Sequence, residues 1–169
     1  PSKFVNGIST EDWNKYNNDP NHPLVNKAMQ VSYAPGSTFK MVSALAALQS
    51  GVTTTTEKIN DTGVYHLGGI DWKCWYYTDY HVGHGWQNVV GALKNSCNFY
   101  FYEVGNRMGI ENLEKMAKYF GLGNKTGIEL RGETKGVLAS VEAKQALGQS
   151  WVPGDMLNAV IGQGLNEFT

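Results

Sequence analysis

A serine and a lysine three residues apart are the first candidates for catalysis. Ser37 and Lys40 would share one face of a helix, within reach of each other's side chains. Lys40 is the one charged residue between Ala28 and Thr56, so we expect it near an apolar core, where burial lowers the pKa of an ammonium group. A neutral lysine can accept a serine proton, and the free N–H groups at a helix start favour a developing oxyanion. The pair therefore predicts a nucleophilic serine with a lysine base.

Ser37 and Lys40 taken alone also fit two simpler roles. The serine could be only the N-cap of a helix, and the lysine could extend along apolar surface to reach solvent. The S-x-x-K pattern is short and recurs by chance, so a second motif has to decide. Ser96 and Asn98 provide a candidate for it, although each alone is an ordinary polar residue at a helix start.

The segment from residue 71 to residue 84 is a candidate metal site. Its four potential ligands are Asp71, Cys74, His81 and His84. Nitrogen, oxygen and sulfur donors in a set of four are what tetrahedral zinc takes, and four protein ligands leave no open position for water. The segment therefore predicts a structural zinc ion, with Asp79 and His66 as substitute ligands. In the alternative interpretation, His84 is a turn residue and Cys74 a small buried hydrophobe.

A mixed set of helices and short strands has to position these residues. Helices are expected over residues 37–50, 86–108, 111–120 and 155–162. The first of these is apolar nearly all round, which indicates burial, and the second is expected to break near Asn95 and Ser96. Short strands are expected within residues 52–70 and 122–140, and loops over 1–36. Residues 71–85 fit neither helical nor strand periodicity.

Composition excludes several classes of function. The 169 residues carry a net charge of -1, which gives no basic surface for nucleic acid, so no nucleic-acid partner is expected. No apolar run approaches the roughly 18 residues of a membrane span, and the first residues given have neither the charged n-region nor the apolar h-region of a signal peptide. The two cysteines could form one disulfide but are no disulfide framework.

The motifs together resemble class B penicillin-binding proteins, most of all the penicillin-binding protein 2 group with its sporulation relatives. Ser37 and Lys40 match the S-x-x-K motif, and Ser96 and Asn98 match the second motif of that family. Further matching segments are PLVNKA at 23–28, YAPGSTFK at 33–40, SCNFYFYE at 96–103, FGLG at 120–123, TGIEL at 126–130, WVPGD at 151–155 and IGQG at 161–164. The resemblance covers nearly the whole chain.

The resemblance implies a fold of the α/β (α+β) class, that of penicillin-binding transpeptidases and serine β-lactamases. In it a helical subdomain stands beside a five-stranded antiparallel sheet, and this chain would cover mostly the helical part. Residues 1–169 would then be a partial transpeptidase domain that lacks the strand with the third motif, K-[ST]-G, and its flanking strands. Lys125-Thr126-Gly127 is not assigned to that motif, because it matches a helix-to-loop segment of the family and Ile128 follows it.

The resemblance also implies an activity and the role of each residue. Ser37 would attack the carbonyl of a D-Ala-D-Ala stem peptide or a β-lactam, and Lys40 would accept its proton. Ser96 would relay a proton to the leaving amine, and Asn98 would position Lys40 and the substrate amide. The acyl group would then pass to an amine of a neighbouring stem peptide, which crosslinks peptidoglycan.

Partners and location follow from the same resemblance. The expected partners are peptidoglycan stem peptides, β-lactam antibiotics and other cell-wall synthesis proteins. The parent protein would be anchored in the bacterial cell membrane by an N-terminal transmembrane helix and would face the extracytoplasmic side. Two alternatives stay open, namely a β-lactam sensor or serine β-lactamase of the same fold, and a catalytically idle fragment held together by zinc.

Overall fold

The computed structural model describes residues 2–169. Its helices are α1 (Thr10–Asn17), α2 (Lys27–Gln30), α3 (Lys40–Gln49), α4 (Trp75–Tyr80), α5 (Val89–Lys94), α6 (Asn98–Met108), α7 (Ile110–Tyr119), α8 (Val141–Ala146) and α9 (Pro153–Val160). Its strands are β1 (Ile59–Asp61), β2 (Val64–Leu67), β3 (Ile70–Lys73) and β4 (Gly85–Gln87), and single 3-10 turns cover Ser2–Phe4 and Gly36–Phe39. The mixed α/β class predicted from the sequence is confirmed.

The core forms where α3 and α6 pack against each other and against α7 and α9. Ala44, Ala46 and Ala47 are buried on α3, so small side chains let neighbouring helices approach its backbone. The aromatic run after the second motif is buried on α6, with Tyr100 and Phe101 fully enclosed. Burying a side chain of that size stabilises the fold by about 2–3 kcal/mol. The start of α6 is therefore anchored in the core.

Two small antiparallel sheets support the loop between α3 and α5. In one, β1 pairs with β4, and in the other, β2 pairs with β3 so that Leu67 faces Ile70. Gly68 and Gly69, with φ of +62° and +76°, form the two-residue turn of this second hairpin. The five-stranded sheet that the resemblance implies is not among residues 2–169, whose strands form these two pairs.

Several helices differ from the prediction for identifiable reasons. Residues 71–85, which fit neither period, contain most of β3, all of α4 and the first residue of β4, and these elements are too short to show periodicity. Helix α1 lies in the segment predicted as loop, where its polar residues hid it, and Ser9 caps it by accepting from Asp12 N at 3.1 Å. The break near Asn95 and Ser96 is confirmed, because α5 ends at Lys94 and α6 begins at Asn98.

No helix in the described residues is long and apolar enough to cross a membrane.

Substituting Gly162, where α9 meets the 3-10 turn, should destabilise the protein. Gly162 has φ +73°, and a Cβ there would clash with the carbonyl of Gly36 and come within 2.6 Å of Phe39 Cβ. In Gly162→Ala we expect a loss of about 3 kcal/mol in the free energy of unfolding, from the left-handed φ together with the clash. Urea denaturation measures this loss.

The matched control for that substitution is Gly148→Ala. Gly148 has a similar φ of +71° but open space where its Cβ would lie. Its substitution should therefore cost only the backbone strain, about 1 kcal/mol. Equal losses in the two variants would contradict a role for the close approach at Gly162.

Candidate active site

Four of the sequence-predicted residues come together at the N-terminal ends of α3 and α6. Ser37 is exposed in the 3-10 turn, and Lys40 begins α3 with 1% of its surface exposed. Side chains three residues apart eclipse in a 3-10 turn, so Ser37 stands above Lys40. Ser96 lies in the short link before α6, and Asn98 is the first residue of α6.

The ammonium group of Lys40 has an acceptor for each of its three protons. Lys40 Nζ donates to the carbonyl oxygen of Ser96 at 2.8 Å, to Ser96 Oγ at 3.0 Å and to Asn98 Oδ1 at 2.6 Å. Burying a charge without such partners would cost several kcal/mol, on the order of the whole stability of a domain. Lys40 Nζ also lies over the ring of Phe101, 5.7 Å from the ring centroid. The second motif thus accounts for the tolerance of a lysine in this core.

Ser96 stands between the nucleophile and the base. Its hydroxyl donates to Ser37 Oγ at 2.8 Å and accepts from Lys40 Nζ at 3.0 Å. The hydrogen-bonded path from Ser37 to Lys40 therefore runs through Ser96 Oγ. This refines the role that the resemblance implies, in which Lys40 takes the proton of Ser37.

Ser96 occupies this place because α5 ends in a tight reversal of the chain. Cys97 N donates to Ala92 O at 2.9 Å and Ser96 N donates to Leu93 O at 3.2 Å, the pair of bonds that defines a Schellman motif. Glycine is the usual residue at the left-handed position of that motif, but here Ser96 takes it with φ +50°. The reversal turns both the carbonyl and the hydroxyl of Ser96 toward Lys40.

Burial lowers the pKa of Lys40 to about 8. A buried ammonium loses its hydration, and this favours the neutral amine. At pH values near neutral a sizeable minority of the lysines is therefore ready to accept a proton. The apolar sequence around Lys40 predicted a pKa shift in this same, downward direction.

The structure brings a different set of metal-binding side chains together than the sequence predicted. Cys74 and His84 lie in one buried cluster, and the two other members are Asp61 and Cys97. The ligand atoms of these four residues all lie within 4.8 Å of one another. We call Asp61, Cys74, His84 and Cys97 the buried cluster.

Asp71 and His81, the other two predicted ligands, lie outside the buried cluster. Asp71 is exposed on β3 and pairs with His66, its partner across the hairpin, at 2.7 Å between Oδ1 and Nδ1. His81 is exposed and ends α4 with φ +58°. The substitute ligand Asp79 is also exposed, on α4. Asp71, Asp79 and His81 are close to Cys74 in sequence, but they are exposed on β3 and at α4 and do not face Cys74 in the buried cluster.

Hydrogen bonds connect the members of the buried cluster through the carboxylate of Asp61. Asp61 Oδ2 accepts from His84 Nδ1 at 2.7 Å and from Cys97 Sγ at 3.2 Å, and Oδ1 accepts from Gly63 N at 2.6 Å. Burial alone would raise the pKa of Asp61, but the hydrogen bonds from His84, Cys97 and Gly63 lower it. Cys74 Sγ lies 3.5 Å from His84 Nδ1.

The buried cluster has donors that could hold a tetrahedral zinc ion. Bonds of about 2.0–2.3 Å to zinc would place neighbouring ligand atoms about 3.3–3.8 Å apart. In the structure three contacts in the cluster measure 2.7–3.5 Å, and all four ligand atoms lie within 4.8 Å of one another. Both cysteines are free thiols rather than a disulfide. The neighbouring thiol groups favour ionisation of one cysteine over the other, so that the pKa of Cys74 is lowered and the pKa of Cys97 is raised.

Asp61 and Cys97 were missed because neither carries a local signal. Asp61 ends a three-residue strand, where a polar residue before a turn is ordinary. Cys97 fills the variable position of the second motif. The signal that could have identified Cys97 is that the chain has two cysteines, so the second thiol is a candidate partner for Cys74 at a metal site. In the structure both cysteines are free and buried.

Lys125 and Thr126 lie in an exposed loop after α7. Glu133 Oε1 accepts from Thr126 N at 2.7 Å and from Thr126 Oγ1 at 2.6 Å. Thr126 is thus part of a closed surface loop, in agreement with leaving this K-T-G sequence out of the catalytic motifs.

Comparison with known proteins identifies one family over this chain. The family model described as penicillin binding protein transpeptidase domain matches residues 5–165. Peptidoglycan D,D-transpeptidase MrdA of Escherichia coli (strain K12) is 41% identical over an alignment 170 residues long, which covers 97% of this chain and 26% of that protein. The chain therefore spans about a quarter of the length of the curated relatives it matches.

Two solved structures match at both the sequence and the fold level. Pseudomonas aeruginosa PBP2 in complex with WCK 5153 is 34% identical with a TM-score of 0.89, over 100% of this chain and 38% of the other. Penicillin-binding protein PBP2 of Helicobacter pylori, in a complex with MreC, is 33% identical with a TM-score of 0.91, over 99% of this chain and 31% of the other.

The lowered pKa of Lys40 makes the stability of the protein depend on pH. The pKa is about 8 in the folded state and about 10.4 in an unfolded chain. Between these values the unfolded chain binds more protons, so the free energy of unfolding rises with pH, by about 3 kcal/mol in all. The cost of burying the charge is present in full below pH 8 and disappears above about pH 10.5.

Lys40→Met isolates this contribution, because it removes the titrating group. The stability of wild type minus that of Lys40→Met, from urea denaturation at pH 7 to 10.5, should increase by about 3 kcal/mol. A difference that stays flat over this interval would contradict the depressed pKa of Lys40.

Proposed function

Since this chain belongs to the family of penicillin-binding protein transpeptidase domains, we propose that its parent protein is a serine D,D-transpeptidase. It would crosslink peptidoglycan stem peptides through an acyl-enzyme on Ser37 and would be acylated there by β-lactams. The observation that carries the proposal is the hydrogen-bonded line from Ser37 through Ser96 to Lys40. Its relatives include proteins named peptidoglycan D,D-transpeptidase.

Acylation begins when Lys40 is in its neutral form. The Ser96 hydroxyl then donates to Lys40 Nζ and accepts from Ser37, which reverses the hydrogen bond seen with the ammonium. As Ser37 Oγ attacks the carbonyl carbon of the terminal D-Ala-D-Ala amide, its proton passes to Ser96 and the Ser96 proton passes to Lys40. The tetrahedral intermediate collapses when the C–N bond breaks, and the leaving D-alanine amine receives a proton back through Ser96.

Deacylation uses the same groups in the opposite direction. The amine of a neighbouring stem peptide attacks the ester on Ser37 and gives up a proton to the network. The bond between the acyl carbon and Ser37 Oγ breaks, Ser37 Oγ recovers a proton, and a new peptide bond joins the two stems. Asn98 stays in contact with Lys40 throughout, at 2.6 Å in the structure, and keeps the amine aimed at Ser96.

The oxyanion site needs a further element. In this family a strand with the K-[ST]-G motif supplies one backbone N–H donor and faces the S-x-x-K helix. We propose that this strand comes from a part of the parent protein outside these 169 residues. The chain alone would then be a partial domain without efficient acylation.

Asn98 favours a transpeptidase over a class D-like β-lactamase or β-lactam sensor of the same fold. In class D-like enzymes the second motif ends in a branched aliphatic residue, which cannot accept a hydrogen bond from Lys40. Here Asn98 Oδ1 accepts from Lys40 Nζ. The rate of deacylation separates the two functions, since a transpeptidase keeps its β-lactam adduct for long times.

The family also guides the proposal for partners and location. A solved relative binds WCK 5153 and another forms a complex with MreC. A further relative belongs to a peptidoglycan synthase complex that couples polymerization and crosslinking. We propose that the parent protein works with other cell-wall synthesis proteins, on stem peptides at the extracytoplasmic face of the bacterial membrane.

The acyl-enzyme can be tested with a fluorescent penicillin. The full-length parent protein should form a covalent adduct, and peptide mapping by mass spectrometry should place it on Ser37. Ser37→Ala removes the nucleophile and should abolish labelling, whereas the matched control Ser32→Ala, outside the motifs, should label as the wild type does. Labelling that survives in Ser37→Ala would contradict the proposal.

We further propose that the buried cluster binds a structural zinc ion. Asp61, Cys74, His84 and Cys97 would be its four ligands, which is the tetrahedral arrangement of structural sites. The buried setting and the close contacts among the four side chains support this. The ion would hold the loop between α3 and α5 in place and would leave no open position for chemistry.

The location of Cys97 relates the zinc site to the catalytic residues without mixing their roles. Cys97 lies between Ser96 and Asn98 in the chain and faces the opposite way, toward Asp61. A zinc ion bound to Cys97 would therefore hold the backbone of the second motif in place from the side opposite Lys40. Catalytic and metal-binding side chains remain separate, so zinc binding does not require an idle enzyme.

Zinc content decides between the buried cluster and the set predicted from sequence. Protein purified with zinc under reducing conditions should contain close to one equivalent by elemental analysis. Cys74→Ala or His84→Ala should lose it, because four-ligand sites depend on every ligand. The double variant Asp71→Ala/His81→Ala is the matched control and should keep it. Less than a tenth of an equivalent in the wild type would end the zinc proposal.

A further inference from the structure

We propose that Trp75 is a positioning residue for acylation of Ser37, because its indole N–H holds the carbonyl of Ser96 in place and with it the Ser96 hydroxyl. Trp75 would not touch the reacting atoms but would act through Ser96. This inference rests on the proposed transpeptidase function.

The indole of Trp75 donates to the backbone of the second motif. Trp75 Nε1 lies 3.0 Å from Ser96 O and 3.2 Å from Asn95 O, so one N–H is shared by two successive carbonyls. Ser96 O also accepts from Lys40 Nζ at 2.8 Å. A carbonyl oxygen has two lone pairs and can serve both donors. The Ser96 carbonyl is thus held between the catalytic lysine and the indole.

Ser96 needs such support because its backbone is strained. Its φ of +50° is in the left-handed region, which costs a residue with a side chain on the order of 1–3 kcal/mol and persists only where neighbours enforce it. A change of φ to a negative value, by rotation about the N–Cα bond of Ser96, would relieve the strain. It would also turn the carbonyl away from Lys40 and shift the hydroxyl that bridges to Ser37. The indole N–H opposes that rotation.

Trp75 is itself firmly held and can therefore act as a fixed support. Cys74, the residue before it, is fully buried and donates from its backbone N to Gly63 O at 2.8 Å. The Trp75 ring packs edge-on against His84 at 5.6 Å and against Tyr76 at 5.5 Å between ring centroids. Support for Ser96 thus comes from the loop that carries two members of the buried cluster.

A rival role for Trp75 is direct contact with substrate. The ring is 39% exposed and lines an open cleft of about 560 Å³ beside Ser96, together with Val82 and Lys94. A contact residue would change how tightly a β-lactam binds before it reacts. A positioning residue would change the rate of the chemical step, so the two roles separate in the kinetics of acylation.

The test removes the N–H and keeps the ring. Trp75→3-benzothienylalanine, introduced by genetic code expansion in the full-length parent protein, replaces the N–H by sulfur at nearly constant shape. Stopped-flow acylation by a chromogenic cephalosporin gives the acylation rate constant and the dissociation constant of the complex before reaction. We expect the rate constant to fall at least fivefold, with the dissociation constant within twofold of wild type.

Three controls make each outcome decisive. Trp75→5-fluorotryptophan keeps the N–H and should react as wild type, and so should Trp86→Phe, which changes an exposed tryptophan on β4. Thermal unfolding should show the benzothienyl variant folded. The proposal is overturned by an unchanged rate constant, by a change confined to the dissociation constant, or by an equal loss of rate in the fluorinated variant. If wild type itself fails to acylate at Ser37, the proposed function fails instead.

Discussion

The rest of this structure depends on one constraint, which is that the charged lysine Lys40 is buried in a helical core. Lys40 begins α3 almost fully buried, and its ammonium group has to find three acceptors within the protein. All three belong to Ser96 and Asn98. These two residues lie beside Lys40 because the chain leaves the helical conformation between α5 and α6. The break between α5 and α6 is therefore a requirement of the buried charge, and the aromatic residues after Asn98 fix the new helix in the core.

Three consecutive residues serve two centres in opposite directions. Ser96 and Asn98 face Lys40, whereas Cys97 faces Asp61 in the buried cluster. This division follows from the extended backbone of Cys97, with φ of -68° and ψ of 107°, which sends neighbouring side chains to opposite sides. The hydrogen-bonded path from Ser37 through Ser96 to Lys40 and the buried cluster consequently share the backbone of residues 96–98, so the position of one constrains the position of the other.

The four candidate catalytic residues lie together as the sequence predicted, whereas only two of the four candidate metal ligands do, for a physical reason. Ser37 with Lys40, and Ser96 with Asn98, form two short local motifs whose internal geometry follows from a 3-10 turn and a helix start. The resemblance supplied the pairing between them. Asp61 and Cys97 belong to no local motif, and only the pairing of β1 with β4 and the reversal after α5 bring them together. Asp71 and His81 had the right chemistry, but their short elements turn them outward.

Ser96 occupies a position where the backbone alone would favour glycine, and this has a consequence for engineering the protein. In Ser96→Gly the left-handed φ would no longer carry the strain of about 1–2 kcal/mol that a Cβ imposes there, so backbone geometry alone favours that exchange. The same exchange deletes the hydroxyl between Ser37 and Lys40. Stability and chemistry thus make opposite demands on one residue, and a serine that persists in a glycine position can be used to recognise such a site in other helical folds.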